Sequence, residues 1–347
     1  MRPFQITVLG IVIMKVAING FGRMGRLFLR AAWQNPALDI VLINDPKLDA
    51  HSAAHLLEFD SIHGRFAADS ISADDSSIQI HDKRIDFSRG EHIDSTDFAG
   101  IDLLVECSGL YRKTAMYDNV LANTDVKKVL VSCPVKDGDT LNMVYGVNHH
   151  LYDTHTNHLV TAASCTTNCL APVVKVLLDT VGIVKGSMTT IHDVTMTQNI
   201  IDNGHKDLRR ARAAGESLIP TSSGSTTAIM KIFPELEGKL NGLAVRVPLL
   251  NASLVDLVVE VEQDVTVEQI NQNFADAAKG ELAGILGYET RPLVSVDYKD
   301  DKRSGIIDAL STQVTDTRLV KILAWYDNEI NYVERMNDIA TMIAKQM

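Results

Sequence analysis

The sequence predicts two domains: a doubly wound α/β domain with a parallel sheet, and an α+β domain with a mostly antiparallel sheet. Three observations lead to this prediction. The chain has 347 residues, more than the ~250–300 at which one hydrophobic core stops growing. Up to residue 163, short apolar strands alternate with helices. After residue 165, strand-like runs follow one another with fewer helices between them.

The composition excludes several classes of protein. With 46% hydrophobic and 22% charged residues, the chain has the balance of an ordinary globular protein. Its four cysteines are too few for a disulfide scaffold, and their spacing predicts no metal site. A net charge of −11 argues against nucleic acid as a partner, because such binding needs a basic face. It leaves room for a local anion site.

Residues 1–13 are predicted to be an N-terminal extension. Met1-Arg2-Pro3-Phe4 and the apolar run Ile6–Met14 have the order of a secretory signal, but no small-residue cleavage site follows. The run is also much shorter than the ~20 residues that span a bilayer. Processing or an added edge strand are the alternatives. No other segment is long and apolar enough to span a membrane, so we expect a cytoplasmic protein without membrane contact.

The first domain is predicted from alternating elements. Its apolar runs are continuous, which is typical of strands buried on both faces of a parallel sheet. The polar, alternating stretch His63–Phe98 favours added hairpins over a crossover helix. Strands are predicted at Val16–Ile18, Asp39–Asn44, Leu103–Glu106 and Lys128–Ser132, with a helix at Arg26–Trp33.

The second domain is predicted from longer strand runs and a helix with a sharp start. The predicted helices are Cys165–Asp179, Val267–Ala277 and Asn337–Lys345, and the strands are Ser187–Ile191, Gly242–Val247, Ser253–Val261 and Leu319–Tyr326.

A glycine motif indicates a dinucleotide site of the Rossmann type. Gly20, Gly22 and Gly25 form a GxGxxG that follows a strand, opens a helix and precedes Asp45 by twenty residues. Glycines let the backbone approach a pyrophosphate, which the helix N-terminus attracts. Asp45 can accept hydrogen bonds from ribose hydroxyls and would repel a 2′-phosphate. The pattern therefore favours NAD over NADP.

The stretch Ala162–Pro172 contains a candidate nucleophile. Small and hydroxyl residues lead into an apolar helix, which places Cys165 at a helix N-terminus where the dipole stabilises a thiolate. A cysteine nucleophile also needs a basic partner, and His192 ends the strand Met188–Ile191. Cys169 follows one turn later, either as a redox partner of Cys165 or as a small buried hydrophobe.

Basic and hydroxyl residues in this acidic chain indicate anion binding. Arg246 stands alone among apolar residues, and a guanidinium cannot shed its charge. His205–Arg212 is a basic cluster, whose Arg209 and Arg212 could instead pair with local acids. Together the cations and nearby hydroxyls could bind two phosphate-sized anions. The candidate hydroxyl and amide donors are Ser164, Thr166, Thr195 and the loop Thr221-Ser222-Ser223-Gly224.

Four stretches carry a resemblance to a known family. From Met14 to the C-terminus the chain is similar to phosphorylating glyceraldehyde-3-phosphate dehydrogenase, and the cysteine motif is highly specific to that family and its nearest relatives. The stretches are Gly20–Arg26, Ser164–Cys169, His205–Ala214 and Trp325–Glu329.

The resemblance implies a role for each site residue. Cys165 is the nucleophile and His192 its base. The implied NAD contacts are Arg23, Met24, Asp45, Arg89, Ser132 and Asn328, the last holding the nicotinamide carboxamide. Thr195 and Arg246 are implied to bind the substrate phosphate, and Ser164, Thr166, Arg210, Ser223 and Gly224 the incoming inorganic phosphate.

The resemblance also implies the reaction and the assembly. The thiolate attacks glyceraldehyde 3-phosphate, hydride passes to NAD, and phosphate releases 1,3-bisphosphoglycerate from the thioester. The family is a homotetramer whose C-terminal helix returns to the cofactor domain. We therefore expect an NAD-binding domain at 14–164 with 330–347, and a catalytic domain at 165–329.

At several positions the chain departs from the family pattern and resembles a side branch of the family. That branch is associated with arsenate-resistance operons, where arsenate replaces phosphate and gives 1-arseno-3-phosphoglycerate for export. The departures are Met196 and Thr197 where bacterial members carry Asn and Asp, Asn203-Gly204 for a common Leu-Pro, and Ile330-Asn331, together with His192-Asp193, Asn44-Asp45-Pro46 and Leu56–Asp60.

Two other functions remain open on the sequence. Erythrose-4-phosphate dehydrogenase shares the cysteine motif and needs no inorganic phosphate. A non-catalytic NAD-binding redox sensor would use Cys165 as an oxidisable switch. The presence of Cys165, His192 and Arg246 together argues against the sensor, which needs no arginine for a substrate phosphate.

Overall fold

The computed structural model describes residues 7–8, 11–135, 137–138 and 140–347. These form two compact units. One contains the described residues of 7–143 together with 149–163 and 333–347, and the other contains residues 144–148 and 164–332. The predicted extension, residues 1–13, lies mostly outside the described residues. Within it, Thr7–Val8 pairs antiparallel with Ile11–Val12.

The first unit contains the glycine motif. Its helices α1 to α3 are Arg23–Ala32, Ala50–Glu58 and Asp118–Asn123. Its strands are β1 (Thr7–Val8), β2 (Ile11–Val12), β3 (Met14–Asn19), β4 (Leu38–Asn44), β5 (Phe59–Asp60), β6 (Gly64–Arg65), β7 (Ile71–Asp74), β8 (Ser77–Ile80), β9 (Lys83–Ser88), β10 (Leu103–Glu106), β11 (Lys128–Val131), β12 (Leu141–Asn142) and β13 (Leu159–Thr161).

The main sheet of this unit is parallel at its centre and antiparallel at one edge. Its strand order is β12-β13-β11-β10-β3-β4-β9-β8-β7, and only the pairs β9–β8 and β8–β7 are antiparallel. Every residue of β10 and β11 is buried, as expected for continuous apolar strands covered on both faces. The antiparallel edge confirms the prediction of hairpins within His63–Phe98.

Helix α1 begins at Arg23, three residues before the predicted start, because Gly22 serves as its N-cap. Gly25 lies in the first turn, where a Cβ would be 2.2 Å from the carbonyl oxygen of Gly20. A glycine here allows the helix to pack directly on the preceding turn. Gly20 itself has φ 89°, a conformation that favours glycine.

The second unit contains the cysteine motif. Its helices are α4 (Cys165–Thr180), α5 (Ser225–Ile232) and α6 (Val267–Lys279). Its strands are β14 (Ile183–Asp193), β15 (Ile219–Ser222), β16 (Leu240–Val247), β17 (Ser253–Val261), β18 (Leu286–Glu289), β19 (Gly305–Asp308), β20 (Gln313–Thr315) and β21 (Leu319–Tyr326).

The sheet of the second unit is mostly antiparallel, which confirms the predicted fold class. Its order is β15-β16-β14-β17-β21-β19-β18, with β20 paired to β21. The pairs β14–β16 and β18–β19 are parallel. Alternate residues of β17 are buried, the pattern of a strand with one face on a core.

The last helix, α7, spans Ile330–Gln346 and begins seven residues before the predicted start. Asp327 explains the earlier start, since its Oδ1 accepts hydrogen bonds from the N–H groups of Glu329 and Ile330, each at 2.8 Å. A side-chain acceptor at this place satisfies the free amides of a helix start. Among the described residues, no helix is long and apolar enough to cross a membrane.

We predict that Gly25→Ala destabilises the first unit. The added Cβ would meet the backbone oxygen of Gly20 at 2.2 Å, and overpacking of this kind costs about 1–3 kcal/mol. Thermal unfolding followed by circular dichroism would therefore show a lower Tm. Gly22→Ala is the matched control, because a Cβ there meets nothing within 4 Å. Equal Tm values for the two variants would contradict the close-packing interpretation.

Candidate active site

Cys165 is the first residue of α4, as the sequence predicts. Ser164 is the N-cap, and its Oγ accepts a hydrogen bond from the N–H of Thr167 at 3.2 Å. Ala163 precedes it with φ 54°, a left-handed conformation uncommon for a residue with a side chain. This turn and cap fix where the helix begins, and hence where the Cys165 thiol lies.

Strand β14 brings His192 to the thiol. The Nε2 atom of His192 lies 3.6 Å from Sγ of Cys165, within hydrogen-bonding range for sulfur. The parallel register of β14 with β16 pairs His192 with Arg246. The structure thus joins three of the predicted site residues, Cys165, His192 and Arg246, in the second unit.

The second nitrogen of His192 has two neighbours. Nδ1 lies 2.8 Å from the carbonyl oxygen of Asp193 and 2.7 Å from Nη1 of Arg246. An arginine only donates hydrogen bonds, so the contact with Arg246 requires an unprotonated Nδ1 and places the proton on Nε2. Donation from Nδ1 to Asp193 instead leaves Nε2 free to accept the proton of Cys165. The position of Arg246 therefore decides which tautomer faces the thiol.

Burial controls the ionisation of this pair. Burial, followed by the charge of Arg246, lowers the pKa of His192 to about 3, so the imidazole is neutral near pH 7 and can act as a base. Burial also raises the pKa of the Cys165 thiol, against the opposing effects of Arg246 and of hydrogen bonds from Thr166. The expected thiolate-stabilising helix start is present, but desolvation is the larger effect.

Tyr326 supports the site and was not identified from the sequence. Its hydroxyl lies 2.9 Å from Oγ1 of Thr166 and 2.8 Å from Oγ1 of Thr190, and its ring packs edge-on against His192. Thr166 thus directs its hydroxyl to Tyr326 in this structure, whereas the resemblance implies that it binds an anion. Alternate residues of β21 are buried, and Tyr326 is one of them.

Thr195, one of the two predicted substrate-phosphate residues, lies in a hydroxyl-rich group. Oγ1 of Thr195 is 2.9 Å from Oγ1 of Thr197. Arg210 donates to Thr197 at 3.2 Å and to Thr221 at 2.9 Å, so it is tied to the neighbourhood of Thr195. Arg212, by contrast, pairs with Asp202 at 2.9 Å, which confirms the alternative of a local ion pair for that residue.

The other predicted phosphate residues surround the starts of two helices. Oγ of Ser164 lies 3.4 Å from Oγ of Ser225, the first residue of α5. Gly224 is the N-cap of α5 and, being a glycine, has no side chain to cap the helix. Oγ of Ser223 accepts a hydrogen bond from the N–H of Ser225 at 3.3 Å. A Cβ at Gly224 would meet nothing within 4 Å. The loop therefore leaves space for an anion.

Asp193 is a buried acid whose only sequence signal is its departure from the family pattern. It is fully buried, and among the described residues neither carboxyl oxygen completes a hydrogen bond of normal geometry. The Ser253 hydroxyl is nonetheless near enough to lower its pKa. Burial outweighs this effect and raises the pKa of Asp193 to about 7.

The first unit holds the glycine loop and its acid. Oδ2 of Asp45 accepts from the N–H of Phe21 at 2.8 Å, and Oδ1 accepts from Lys47 and Leu48. Asp45 therefore fixes the loop as well as ending β4. A Cβ at Gly22 would meet nothing within 4 Å, which leaves open space over the start of α1.

The remaining predicted cofactor residues have these positions. Arg23 forms an ion pair with Asp60 at 3.0 Å, Met24 is half-buried in the first turn of α1, and exposed Arg89 donates to the carbonyl of Pro46 at 3.3 Å. Ser132 follows β11, and its N–H donates to Glu106 at 2.9 Å. Asn328 is buried in the second unit, just beyond β21.

Two family models match this chain. Residues 14–114 match the NAD binding domain of glyceraldehyde 3-phosphate dehydrogenase, and residues 164–328 match its C-terminal domain. The nucleotide-type parallel sheet and the match to an NAD binding domain place this chain among NAD-dependent enzymes. The chain belongs to the glyceraldehyde-3-phosphate dehydrogenase family, and NAD is its cofactor.

Curated relatives match almost the whole chain. Glyceraldehyde-3-phosphate dehydrogenase 3 of Nostoc sp. (strain PCC 7120 / SAG 25.82 / UTEX 2576) is 56% identical, covering 95% of this chain and 98% of that protein. Glyceraldehyde-3-phosphate dehydrogenase of Geobacillus stearothermophilus is 47% identical, covering 96% and 98%. Glyceraldehyde-3-phosphate dehydrogenase 1 of Bacillus cereus is 48% identical, covering 96% and 99%.

The residues of the first unit fit this cofactor. Gly22 leaves the start of α1 open to a phosphate, and Gly20 and Gly25 allow close backbone approach. The carboxylate of Asp45 lies just beyond β4 and accepts hydrogen bonds from loop amides. Its remaining lone pairs can accept hydrogen bonds from ribose hydroxyls. The donor set therefore agrees with NAD.

We predict that Asp193→Asn changes how stability depends on pH. A pKa raised from 3.8 to about 7 means that the folded protein binds a proton that the unfolded chain lacks. The free energy of unfolding should then fall as the pH rises from about 4 through 7. Urea unfolding at pH 5 and pH 8 should show a smaller fall in the asparagine variant. An equal pH dependence of the free energy of unfolding in the two proteins would contradict the raised pKa of Asp193.

Proposed function

We propose that this enzyme oxidises and phosphorylates glyceraldehyde 3-phosphate with NAD, giving 1,3-bisphosphoglycerate. The observation that carries the proposal is the contact between Sγ of Cys165 and Nε2 of His192 at 3.6 Å, with Arg246 on the far side of the imidazole. A nucleophile, a neutral base and a buried cation are the groups that this chemistry needs from one unit.

The chain's own residues act on the aldehyde as follows. His192 takes the thiol proton through Nε2, and Sγ of Cys165 forms a bond to the aldehyde carbon. His192 returns this proton to the aldehyde oxygen, which becomes a hydroxyl group, and is neutral again. It then accepts the hydroxyl proton as the carbon–hydrogen bond breaks, leaving a thioester on Cys165. NAD supplies the hydride acceptor for this oxidation. An oxygen of phosphate next bonds to the acyl carbon, the carbon–sulfur bond breaks, and the sulfur leaves as the thiolate.

The phosphate groups are proposed to lie at the two hydroxyl-rich places. Arg246 has a buried Nε without a hydrogen-bond partner among the described residues, and burial of such a donor is costly unless an anion meets it. Arg246 and Thr195 would hold the substrate phosphate. Ser164, Thr166, Ser223, Gly224 and Arg210 would hold the incoming phosphate, with Arg210 able to serve either place because it already contacts Thr197.

We propose arsenate as a second acceptor. Arsenate and phosphate are nearly isosteric oxyanions, so the same hydroxyl and amide donors would accept either. Attack by arsenate on the thioester would give 1-arseno-3-phosphoglycerate. The departures at Met196 and Thr197 support this branch by resemblance, and both side chains are exposed beside Thr195.

The decisive experiment measures NADH formation with two aldehydes and three acceptor conditions. We expect rapid NADH formation with glyceraldehyde 3-phosphate in the presence of phosphate or arsenate, and little beyond one equivalent per site with neither. Cys165→Ser should lose at least 10³-fold in kcat, because a hydroxyl is a far weaker nucleophile. The Cys165→Ser variant should bind NAD with the same affinity as the native protein.

Other outcomes would identify the alternatives. Turnover of erythrose 4-phosphate without an acceptor would support the erythrose-4-phosphate dehydrogenase. NAD binding without NADH formation under any condition would support the redox sensor and exclude the enzyme. Activity in Cys165→Ser would show that another residue is the nucleophile.

We propose that the protein is a homotetramer. Support comes from the loop between β14 and β15, where Met196, Ile200, Ile201 and Leu208 are 75–90% exposed. Apolar side chains grouped in this way mark an interaction surface. Ile200→Asp should lower the mass measured by sedimentation velocity from four chains to two or one. Leu110→Asp is the control, since Leu110 is 62% exposed but lies outside this loop. A native monomer would exclude the assembly.

A further inference from the structure

The amide of Asn328 has a fixed orientation. Its Oδ1 accepts two hydrogen bonds, from the N–H of Ala252 at 3.2 Å and from the hydroxyl of Ser253 at 3.3 Å. Ala252 reaches it through a left-handed turn with φ 73°. Among the described residues, Nδ2 of Asn328 has no hydrogen-bond partner. The amide therefore turns its donor group away from the chain.

Ser253 both accepts and donates a hydrogen bond through its hydroxyl group. The main-chain N–H of Asp193 donates to Oγ of Ser253 at 3.1 Å. A hydroxyl has one proton to donate, and here it goes to Asn328. All three residues are buried, with Ser253 only 1% exposed, so water does not replace these contacts.

We propose that Ser253, held by the main chain of Asp193, is a positioning residue that fixes the Asn328 amide with Nδ2 toward the nicotinamide carboxamide. This inference rests on the proposed function and on the contact between Asn328 and NAD that the family resemblance implies. Ser253 acts only through Asn328. Loss of its hydroxyl would let the amide rotate, and a rotated amide would present an acceptor where a donor is required.

The test compares binding of NAD with binding of ADP-ribose, which lacks the nicotinamide. Isothermal titration calorimetry at pH 6 on the full chain gives both dissociation constants. We expect Ser253→Ala to weaken NAD binding by about 3- to 10-fold, the worth of one hydrogen bond, and to leave ADP-ribose binding within 2-fold. The double variant Ser253→Ala/Asn328→Ala should bind NAD no more weakly than Asn328→Ala alone, because the two changes remove the same interaction.

Failure of the inference and failure of the proposed contact give different results. If Asn328→Ala removes the preference for NAD while Ser253→Ala keeps it, Ser253 does not position the amide. Equal weakening of NAD and ADP-ribose binding in Ser253→Ala would likewise overturn the inference, since it would indicate a structural defect. If Asn328→Ala itself keeps the preference, the contact with the nicotinamide is wrong, and the inference falls with it.

Discussion

A buried guanidinium next to a neutral imidazole governs the chemistry of the second unit. Arg246 shares Nη1 between Nδ1 of His192 and the carbonyl of Asp193, at 2.7 and 2.8 Å, and its Nε is buried without a partner among the described residues. Desolvation of a cation is costly unless a counter-charge arrives. An anion that draws Nη1 away from His192 would release Nδ1 to donate to Asp193, and would thereby prepare Nε2 as the base.

This arrangement depends on strand register. Because β14 and β16 run parallel with His192 opposite Arg246, a shift of either strand by one residue would point its side chain to the other face of the sheet and separate the pair. The helix start at Cys165 is fixed separately, by the Ser164 cap. Two independent elements therefore bring sulfur and nitrogen together, and burial keeps both in their neutral forms until substrate arrives.

The sequence predicts most of the fold because its signals are local. Continuous apolar runs give β10 and β11, and the strand, glycine loop and Asp45 give the cofactor-binding turn. Side-chain direction and desolvation depend on partners that are distant in the sequence, so they could not be predicted. Examples are the contact between the hydroxyls of Thr166 and Tyr326 and the raised pKa of Cys165. The early start of α7 could have been predicted from the sequence, because Asp327 precedes the helix and its side chain accepts a hydrogen bond from the N–H of Glu329.

The buried carboxyl of Asp193 also affects the energetics of folding itself. A group with a pKa of about 7 in the folded protein and 3.8 in its ordinary state takes up a proton as the chain folds anywhere between those values. That proton comes from the buffer. The heat measured for unfolding in this pH range will therefore include the ionisation enthalpy of whichever buffer is chosen, and enthalpies from phosphate and from an amine buffer will differ.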